Sequence, residues 1–235
     1  MGQKKLIRFA ELETFPNVLQ YPENMKGNWS RVFGNTHPIT LELACGKGEY
    51  AVGMGRLFPD RNFLGVDQKG NRIWVGAKTC LKEGLKNVAF LRTQIDRIDS
   101  YFNRGEVGDI WLTFPDPQLR ISRSKKRLTH PKFLRMYQQF LGPGSYINLK
   151  TDSPVLYRFT LDVIELYGLE LVRATDQLYQ EAELDAVLQI KTHYEQLDIA
   201  GSNRIHYIRF RIGDKELPEQ LDEVLKQQTR ERETD

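Results

Sequence analysis

Short apolar runs alternate along the chain with longer segments that have helical periodicity. The runs at 38–43, 62–66, 87–92 and 108–114 are apolar at most positions, as expected of strands buried on both faces of a sheet, and a further short run at 145–151 has apolar residues at 146, 147 and 149. A helix is predicted over 72–83, where Gly84 supplies the left-handed residue that commonly follows a helix, and others over 131–141 and 155–167. Strands that alternate with helices predict βαβ units and a mostly parallel sheet.

The end of the chain has a different pattern. A further strand is predicted at 169–174, and the segment 205–212 alternates between polar and apolar residues without a clear helix before it. Alternation of this kind indicates an antiparallel strand with one polar face. We therefore predict a Rossmann-like α/β fold with a mostly parallel seven-stranded sheet and an antiparallel C-terminal strand.

Composition divides the chain into three regions. Residues 1–35 contain the breakers Pro16, Pro22 and Gly27 and are predicted to form an irregular basic arm. Residues 36–213 are predicted to form the main domain. Residues 214–235 hold eight acidic and four basic residues and are predicted to form an acidic, weakly amphipathic tail helix. The length of 235 residues suits one large domain with appendages.

The overall composition argues against several classes of protein. There is no apolar run long enough for a membrane span and no secretion signal at the start. The two cysteines are too few for a disulfide framework, so we expect a cytoplasmic protein with reduced thiols. The four histidines lack metal-ligand spacing, and no metal is expected.

A net charge of +3 conceals a strongly basic stretch in the middle of the chain. Between Asp116 and Asp152 there is no acidic residue. A stretch with one sign of charge favours binding of a polyanion over the alternative, a merely solvated loop. The basic residues of this interval are Arg120, Arg123, Lys125, Lys126, Arg127, Lys132, Arg135 and Lys150.

The sequence LELACGKGEY at 41–50 places two glycines between a strand and a helix. Gly46 and Gly48 permit a tight turn and close approach of the backbone to a ligand. Glu42 lies inside the apolar strand, where a charge is costly unless it is used. Asp67 ends the next strand, where an acid can bind ribose hydroxyls in an open α/β sheet. Together these residues predict a nucleotide-like ligand at the carboxyl ends of the strands.

The details of the turn favour S-adenosylmethionine over NAD. A dinucleotide prefers G-x-G-x-x-G with its pyrophosphate at the helix N-terminus, whereas here Glu49 would oppose a pyrophosphate. Glu42 suits a cationic ligand. S-adenosylmethionine carries a sulfonium, an amino group and a ribose diol, which all require acceptors.

The sequence TFPDP at 113–117 holds Asp116 between two prolines at the end of a strand. Proline fixes the backbone on both sides, so the carboxylate is positioned at little entropic cost. Pro-Asp-Pro is also good turn chemistry. The nearby glycine turn and basic stretch favour a functional role.

These motifs together resemble the bacterial tRNA (guanine-N7)-methyltransferases over about residues 39–212. The resemblance depends on LELACGKGEY, FLGVDQKGNRIWVGAK, FPDP, KKRLTHPKF, KTD at 150–152 and KTHYE at 191–195. It implies a class I methyltransferase fold, S-adenosylmethionine as cofactor and tRNA as partner. The implied reaction is methyl transfer to N7 of a guanine in the variable loop.

The resemblance also implies roles for individual residues. Asp116 corresponds to the residue considered catalytic. The cofactor contacts fall on Glu42, Asp67 and Gln94, beside Gly46 and Gly48. Arg123, Lys125, Lys126 and Arg127 are expected to hold the RNA backbone. The implied substrate contacts are Arg120, Asp152, Thr192, His193, Tyr194 and Glu195.

This chain departs from the family pattern at four positions. The turn usually opens with glycine, and here it opens with Ala44. Gln94 stands where aspartate is frequent, but its amide can still accept a hydrogen bond from an adenine amino group. Gln118 replaces a frequent aromatic. Arg120 replaces a frequent lysine, which keeps the charge and changes the donor geometry.

The chemistry of guanine N7 explains this set of residues. N7 has a free lone pair, so attack on a methyl sulfonium needs orientation and charge placement but no strong base or metal. Asp116 could bind the donors on the Watson–Crick edge while cations hold the phosphates. The alternatives are a methyltransferase acting on an exocyclic amine and a non-catalytic RNA-binding protein of the same fold. The sequence leaves open whether the protein is a monomer or a homodimer.

Overall fold

The computed structural model describes residues 3–196 and 204–234. In these ranges eight strands form one sheet, in the order β1-β4-β3-β2-β5-β6-β8-β7. The strands are β1 (Val18–Gln20), β2 (Ile39–Leu43), β3 (Asn62–Asp67), β4 (Val88–Arg92), β5 (Val107–Thr113), β6 (Leu141–Thr151), β7 (Glu170–Thr175) and β8 (His206–Arg211). The helices are α1 (Gln3–Leu12), α2 (Trp29–Phe33), α3 (Glu49–Leu57), α4 (Gly70–Glu83), α5 (Pro131–Tyr137), α6 (Pro154–Leu166), α7 (His193–Gln196) and α8 (Leu221–Thr234).

The strand directions confirm the predicted fold class. Strands β1 to β6 pair in parallel, and β8 runs antiparallel to both β6 and β7. The predicted number of seven strands is wrong, because β1 from the N-terminal region pairs with β4 and adds an eighth strand. The three residues of β1 are too few to show a strand period in the sequence.

Both faces of the sheet are covered at its centre, so most residues of the central strands are apolar. Every residue of β2 and β3 is buried. Leu64 and Val66 belong to a hydrophobic cluster with α2, α5, α6 and α8, while Phe63 belongs to a second cluster with α3 and α4. The alternation of side chains along each strand therefore fills two cores.

The N-terminal region is an integral part of the fold, which corrects the prediction of an irregular arm. Helix α1 packs against α4, and β1 extends the sheet. Trp29 is buried in α2, stacks on Phe102 with ring centroids 5.0 Å apart, and donates through Nε1 to the carbonyl of Tyr101. Apolar residues that are scattered in sequence thus supply the contacts that order this segment.

The topology brings the predicted functional residues to one edge of the sheet. The chain passes from β2 outward through β3 to β4 and then returns to β5 on the other side of β2. Ligands in open α/β sheets bind outside the carboxyl ends of the strands at such a reversal. The glycine turn after β2, Asp67 in β3, Gln94 after β4 and Asp116 after β5 all lie at this edge.

The acidic C-terminal helix is docked on the main domain. Leu225 and Thr229 of α8 are buried. Asp222 accepts two hydrogen bonds from the guanidinium of Arg135, at 3.1 and 2.6 Å, and one from the hydroxyl of Tyr167. The helix is therefore held by a partly buried charged network as well as by apolar contacts.

We expect Asp222→Ala to destabilise the protein by about 2 kcal/mol, because it removes charge-assisted bonds and leaves the partly buried Arg135 without its carboxylate partner. Asp214→Ala is the control, since Asp214 pairs with Arg104 at a site where both side chains are more than 70% exposed. The control should change the free energy of unfolding by less than about 1 kcal/mol. Equal effects in urea unfolding would contradict the importance of the Asp222 network.

Candidate active site

A cavity of about 730 Å³ opens at the carboxyl edge of the sheet, beyond β2, β3, β4 and β5. Its walls combine the glycine turn, the ends of the strands and the basic segment after β5. Polar acceptors and cations thus face one space. The structure brings together in this lining the predicted residues Gly46, Asp67, Gln94, Asp116, Lys125, Lys126 and Thr192.

The two glycines of the turn have different structural roles. Both have positive φ, 57° at Gly46 and 74° at Gly48, which glycine adopts without strain. A side chain at Gly48 would place its Cβ 2.3 Å from the ring of Phe90, whereas a Cβ at Gly46 would meet no atom within 4 Å. Gly48 therefore serves close packing outside the cavity lining, and Gly46 leaves space in the cavity.

Asp67 fixes the glycine turn to the end of β3. Its Oδ2 accepts a hydrogen bond from the Gly46 amide at 3.0 Å, and its Oδ1 accepts one from the Lys69 amide at 2.8 Å. The residue is buried at the cavity wall. Because each carboxylate oxygen has two lone pairs, Asp67 retains acceptor capacity toward a ligand.

Glu42 lies behind the turn and outside the cavity lining. Its Oε2 accepts from the Ala51 amide at 2.8 Å, and its Oε1 accepts from the Thr113 hydroxyl at 2.7 Å. Burial raises the pKa of Glu42 to about 8, although both hydrogen bonds act in the opposite direction. The expectation of a charged contact to a cationic ligand therefore does not fit this geometry: Glu42 joins β2, α3 and β5.

The segment that follows β5 presents Asp116 at the surface of the cavity. The Phe114 amide donates to the Lys150 carbonyl at 2.8 Å, and Asp116 Oδ1 accepts from the Gln118 amide at 2.9 Å. Phe114 and Gln118 have positive φ of 48° and 49°. Non-glycine residues rarely adopt a positive φ, so two of them in one short segment indicate a backbone that is held in place by its surroundings.

Arg127 supports the Asp116 segment from inside the protein. It is fully buried, donates to the carbonyls of Pro117 and Gln118 at 3.2 Å each, and packs over the ring of Phe159. This burial contradicts the prediction that Arg127 contacts the RNA backbone. The other predicted cations, Arg120, Arg123, Lys125 and Lys126, are exposed on and beside the 3₁₀ turn Ile121–Lys126.

The predicted substrate contacts at Asp152 and 192–195 do not all lie at the cavity. Thr192 lines the cavity, His193 is exposed, and Asp152 is half-buried after β6 without lining the cavity. Glu195 directs its carboxylate inward to Lys150 Nζ, at 3.1 Å. The side chain of Tyr194 lies outside the described part of the structure.

Lys150 is a residue whose importance the sequence analysis missed. It was counted in the basic stretch, but its side chain is fully buried. The signal in the sequence is a lysine within the apolar strand SYINLKT, where a charge is costly unless paired.

Cys45 and Cys80 are free and buried, and burial raises the pKa of both thiols. Within 3–196 and 204–234, no group of three or more His, Cys, Asp or Glu residues is placed to hold a metal ion. In the same ranges no helix combines the length and apolar character needed to cross a membrane.

Comparison with known proteins identifies the family. A family model described as "Putative methyltransferase" matches residues 36–207. The chain is 47% identical over 221 residues to a tRNA (guanine-N(7)-)-methyltransferase of Bacteroides thetaiotaomicron, an alignment that covers 90% of this chain and 87% of the relative. It is 46% identical to the protein of the same name from Christiangramia forsetii, covering 90% of this chain and all of the relative.

The chain belongs to the tRNA (guanine-N(7)-)-methyltransferase family. The predicted resemblance is thereby confirmed. Among solved structures, a 16S rRNA (adenine(1408)-N(1))-methyltransferase of Catenulisporales acidiphilia with its cosubstrate SAM superposes with a TM-score of 0.55. That alignment covers 82% of this chain and 93% of the other at 14% identity, so it shows a shared fold.

The structure shows the consequence of one departure from the family pattern. Ala44 opens the turn with φ of 58°, a left-handed conformation that glycine adopts freely. For a residue with a Cβ this conformation costs about 1–2 kcal/mol. The turn of this family member is therefore held against local strain by the bonds around Asp67.

We expect Glu42→Gln to stabilise the protein relative to the parent as pH rises. The folded-state pKa of about 8 lies above the ordinary value of 4.5, so the stabilisation from neutral Glu42 is complete below about pH 4.5 and is lost as pH rises through about 8. Glutamine stays neutral and can still bond Ala51 and Thr113. The stability difference should grow between about pH 5 and about pH 8, by at most about 1.4 kcal/mol per unit.

Urea unfolding of the ligand-free variants across this pH range measures the difference. Exposed Glu219 provides the control, and Glu219→Gln should show no such trend. A difference between Glu42→Gln and the parent that stays constant with pH would mean that Glu42 is ionised in the folded protein.

Proposed function

We propose that the protein transfers a methyl group from S-adenosylmethionine to N7 of a guanine in tRNA. The observation that carries this proposal is the content of one cavity. Asp116 shares it with acceptors at the ends of β3 and β4 and with the exposed cations that follow β5. The names of the relatives favour the same reaction.

The cavity fits the proposed cofactor. Its volume lies in the range of small-molecule sites. Asp67 would accept from the ribose hydroxyls, the amide oxygen of Gln94 from the adenine amino group, and Gly46 would leave space for the ligand beside the backbone. The bound group would supply an electrophilic methyl on a sulfonium.

Asp116 is the proposed catalytic residue. Its carboxylate would accept hydrogen bonds from the N1–H and amino group of guanine, which orients N7. Positive charge develops on the purine as N7 is methylated, and a fixed carboxylate stabilises that charge. Since N7 carries no proton, no residue of the protein needs to remove one.

The RNA would be held mainly through its phosphates. Arg123, Lys125 and Lys126 form an exposed basic surface beside the cavity, which positions RNA without reading its sequence. We further propose Arg120, Asp152 and the segment 192–194 as contacts close to the guanine. A tRNA substrate is consistent with a cytoplasmic location.

The decisive experiment is identification of the modified nucleoside. The protein is incubated with unmethylated tRNA and methyl-labelled S-adenosylmethionine, and the RNA is digested to nucleosides. Labelled 7-methylguanosine supports the proposal. Label on an exocyclic amine would establish the other class of methyltransferase, and absence of label would leave only RNA binding.

We expect Asp116→Asn to separate binding from turnover. Asparagine can still accept from the Gln118 amide, so the turn should persist, but the negative charge is lost. The single-turnover rate with saturating tRNA should fall by about 10²–10³-fold, with unchanged S-adenosylmethionine affinity by calorimetry. Asp60→Asn, at an exposed site away from the cavity, is the matched control. A near-parental rate for Asp116→Asn would assign Asp116 a turn-forming role only.

Replacing Arg123, Lys125 and Lys126 together by glutamine should weaken tRNA binding and reduce its salt dependence. The slope of log K against log[salt] should decrease by roughly 0.7–0.9 for each lost phosphate contact. Arg127 stays unchanged because it is buried. Replacing the exposed lysines Lys26, Lys82 and Lys86 by glutamine controls for net charge. If both triple variants keep the parental slope in filter binding, the basic segment is merely solvated.

A further inference from the structure

Lys150, the penultimate residue of strand β6, holds one segment of the cavity through its backbone and another through its side chain. Lys150 pairs with Thr113 in the sheet, and its carbonyl accepts from the Phe114 amide at 2.8 Å. Phe114 begins the segment that carries Asp116. The backbone of Lys150 therefore fixes the start of the proposed catalytic loop.

The side chain of Lys150 extends to the other segment. Its ammonium group lies 3.1 Å from the Leu188 carbonyl, 3.0 Å from the Ile190 carbonyl and 3.1 Å from Glu195 Oε2. The hydroxyl of Tyr179 is 2.9 Å away and donates to Glu195 Oε1. One buried cation thus binds acceptors from four residues between 179 and 195. This stretch lies between β7 and the end of α7 and contains no strand.

Glu195 transmits this contact to Thr192. Its Oε2 accepts from the Thr192 amide at 3.3 Å, and its own amide donates to the Thr192 hydroxyl at 3.1 Å. This reciprocal pattern is a capping box at the start of α7. Thr192 lines the cavity, so the chain of contacts runs from Lys150 through Glu195 to the cavity wall.

The burial of these groups favours positioning over direct contact with RNA. The side chains of Lys150 and Glu195 are 0% and 4% exposed. Rings of Tyr50, Phe114 and Tyr179 surround the ammonium at 5.2–5.8 Å. An apolar residue could fill this space but could not hold two carbonyls and a carboxylate in one arrangement.

We propose that Lys150 is a positioning residue of the methyl transfer, acting through Glu195 and Thr192 to fix the segment 188–195 relative to the Asp116 loop. The proposal rests on the proposed function for its kinetic consequences. It gives Glu195 an internal role in place of the substrate contact expected from the family resemblance. The cofactor side of the cavity, formed by Gly46, Asp67 and Gln94, does not depend on this chain of contacts.

The first test compares Lys150→Met with the parent. The value of kcat/KM for tRNA should fall by about 10- to 100-fold because a displaced binding wall misorients the base. The dissociation constant of S-adenosylmethionine, measured by calorimetry, should change by less than about threefold, within the context-dependence of such contacts. The exposed Lys86→Met is the matched control and should keep parental kinetics. Parental kcat/KM in a folded Lys150→Met variant would overturn the proposal, as would equal loss of cofactor affinity.

Hydrogen exchange of the peptide covering 186–196 provides a readout that does not require activity. Exchange there should accelerate in Lys150→Met while the peptide covering 62–70 keeps its parental rate. If the parent forms no 7-methylguanosine, the proposed function fails and this measurement still decides the positioning role. Unchanged exchange at 186–196 would overturn it.

Two further variants, Glu195→Gln and the double variant Lys150→Met with Glu195→Gln, distinguish a positioning role of Lys150 from a role in stability alone. They also keep the proposal testable if Lys150→Met does not fold. In Lys150→Met the buried carboxylate of Glu195 has lost its cationic partner. The double variant has neutral side chains at both positions, so its melting temperature should be higher than that of Lys150→Met. The tRNA kcat/KM and the fast exchange at 186–196 should not recover. Recovery of both would overturn the proposal in favour of a purely stabilising ion pair. In Glu195→Gln, a kinetic loss with parental exchange would instead show direct contact with the substrate and overturn it.

Discussion

The carboxyl group of Glu42 joins the three elements from which the site is built. It stands in β2, accepts from the backbone of α3 at Ala51, and accepts from Thr113 at the end of β5. Thr113 directly precedes the segment that carries Asp116. The glycine turn on one side and the Asp116 loop on the other are consequently held at a fixed separation. This one group therefore links two loops that belong to different βα units.

Two buried cations extend the same principle to the outer parts of the site. Arg127 binds the carbonyls of Pro117 and Gln118 from beneath, and Lys150 binds the carbonyls of Leu188 and Ile190. Irregular segments cannot satisfy their carbonyl groups within a sheet or a long helix. A guanidinium or an ammonium can bind several carbonyls at once. The protein thus uses buried positive charges to hold its loops in place. Other positive charges lie at the surface beside the cavity.

The sequence allowed the parallel sheet, the glycine turn and the acid at the end of β3 to be predicted, because each depends on local pattern. The contacts of Glu42 could not be predicted, since its partners lie 9 and 71 residues away. Arg127 is not distinguishable within RSKKR, and its burial depends on Phe159 in a later helix. The strand β1 was missed because it has only three residues and forms by pairing with β4.

The position of β1 has a consequence for how the protein can be divided. The family model begins at residue 36, yet β1 covers one edge of the sheet, and Trp29 and Phe33 fill the core below it. A chain that started at residue 36 would leave β4 with an open row of backbone donors and acceptors above exposed apolar surface. Such an edge is a template for pairing with another chain. The segment that the family model matches, residues 36–207, is therefore smaller than the unit in which this edge of the sheet is covered.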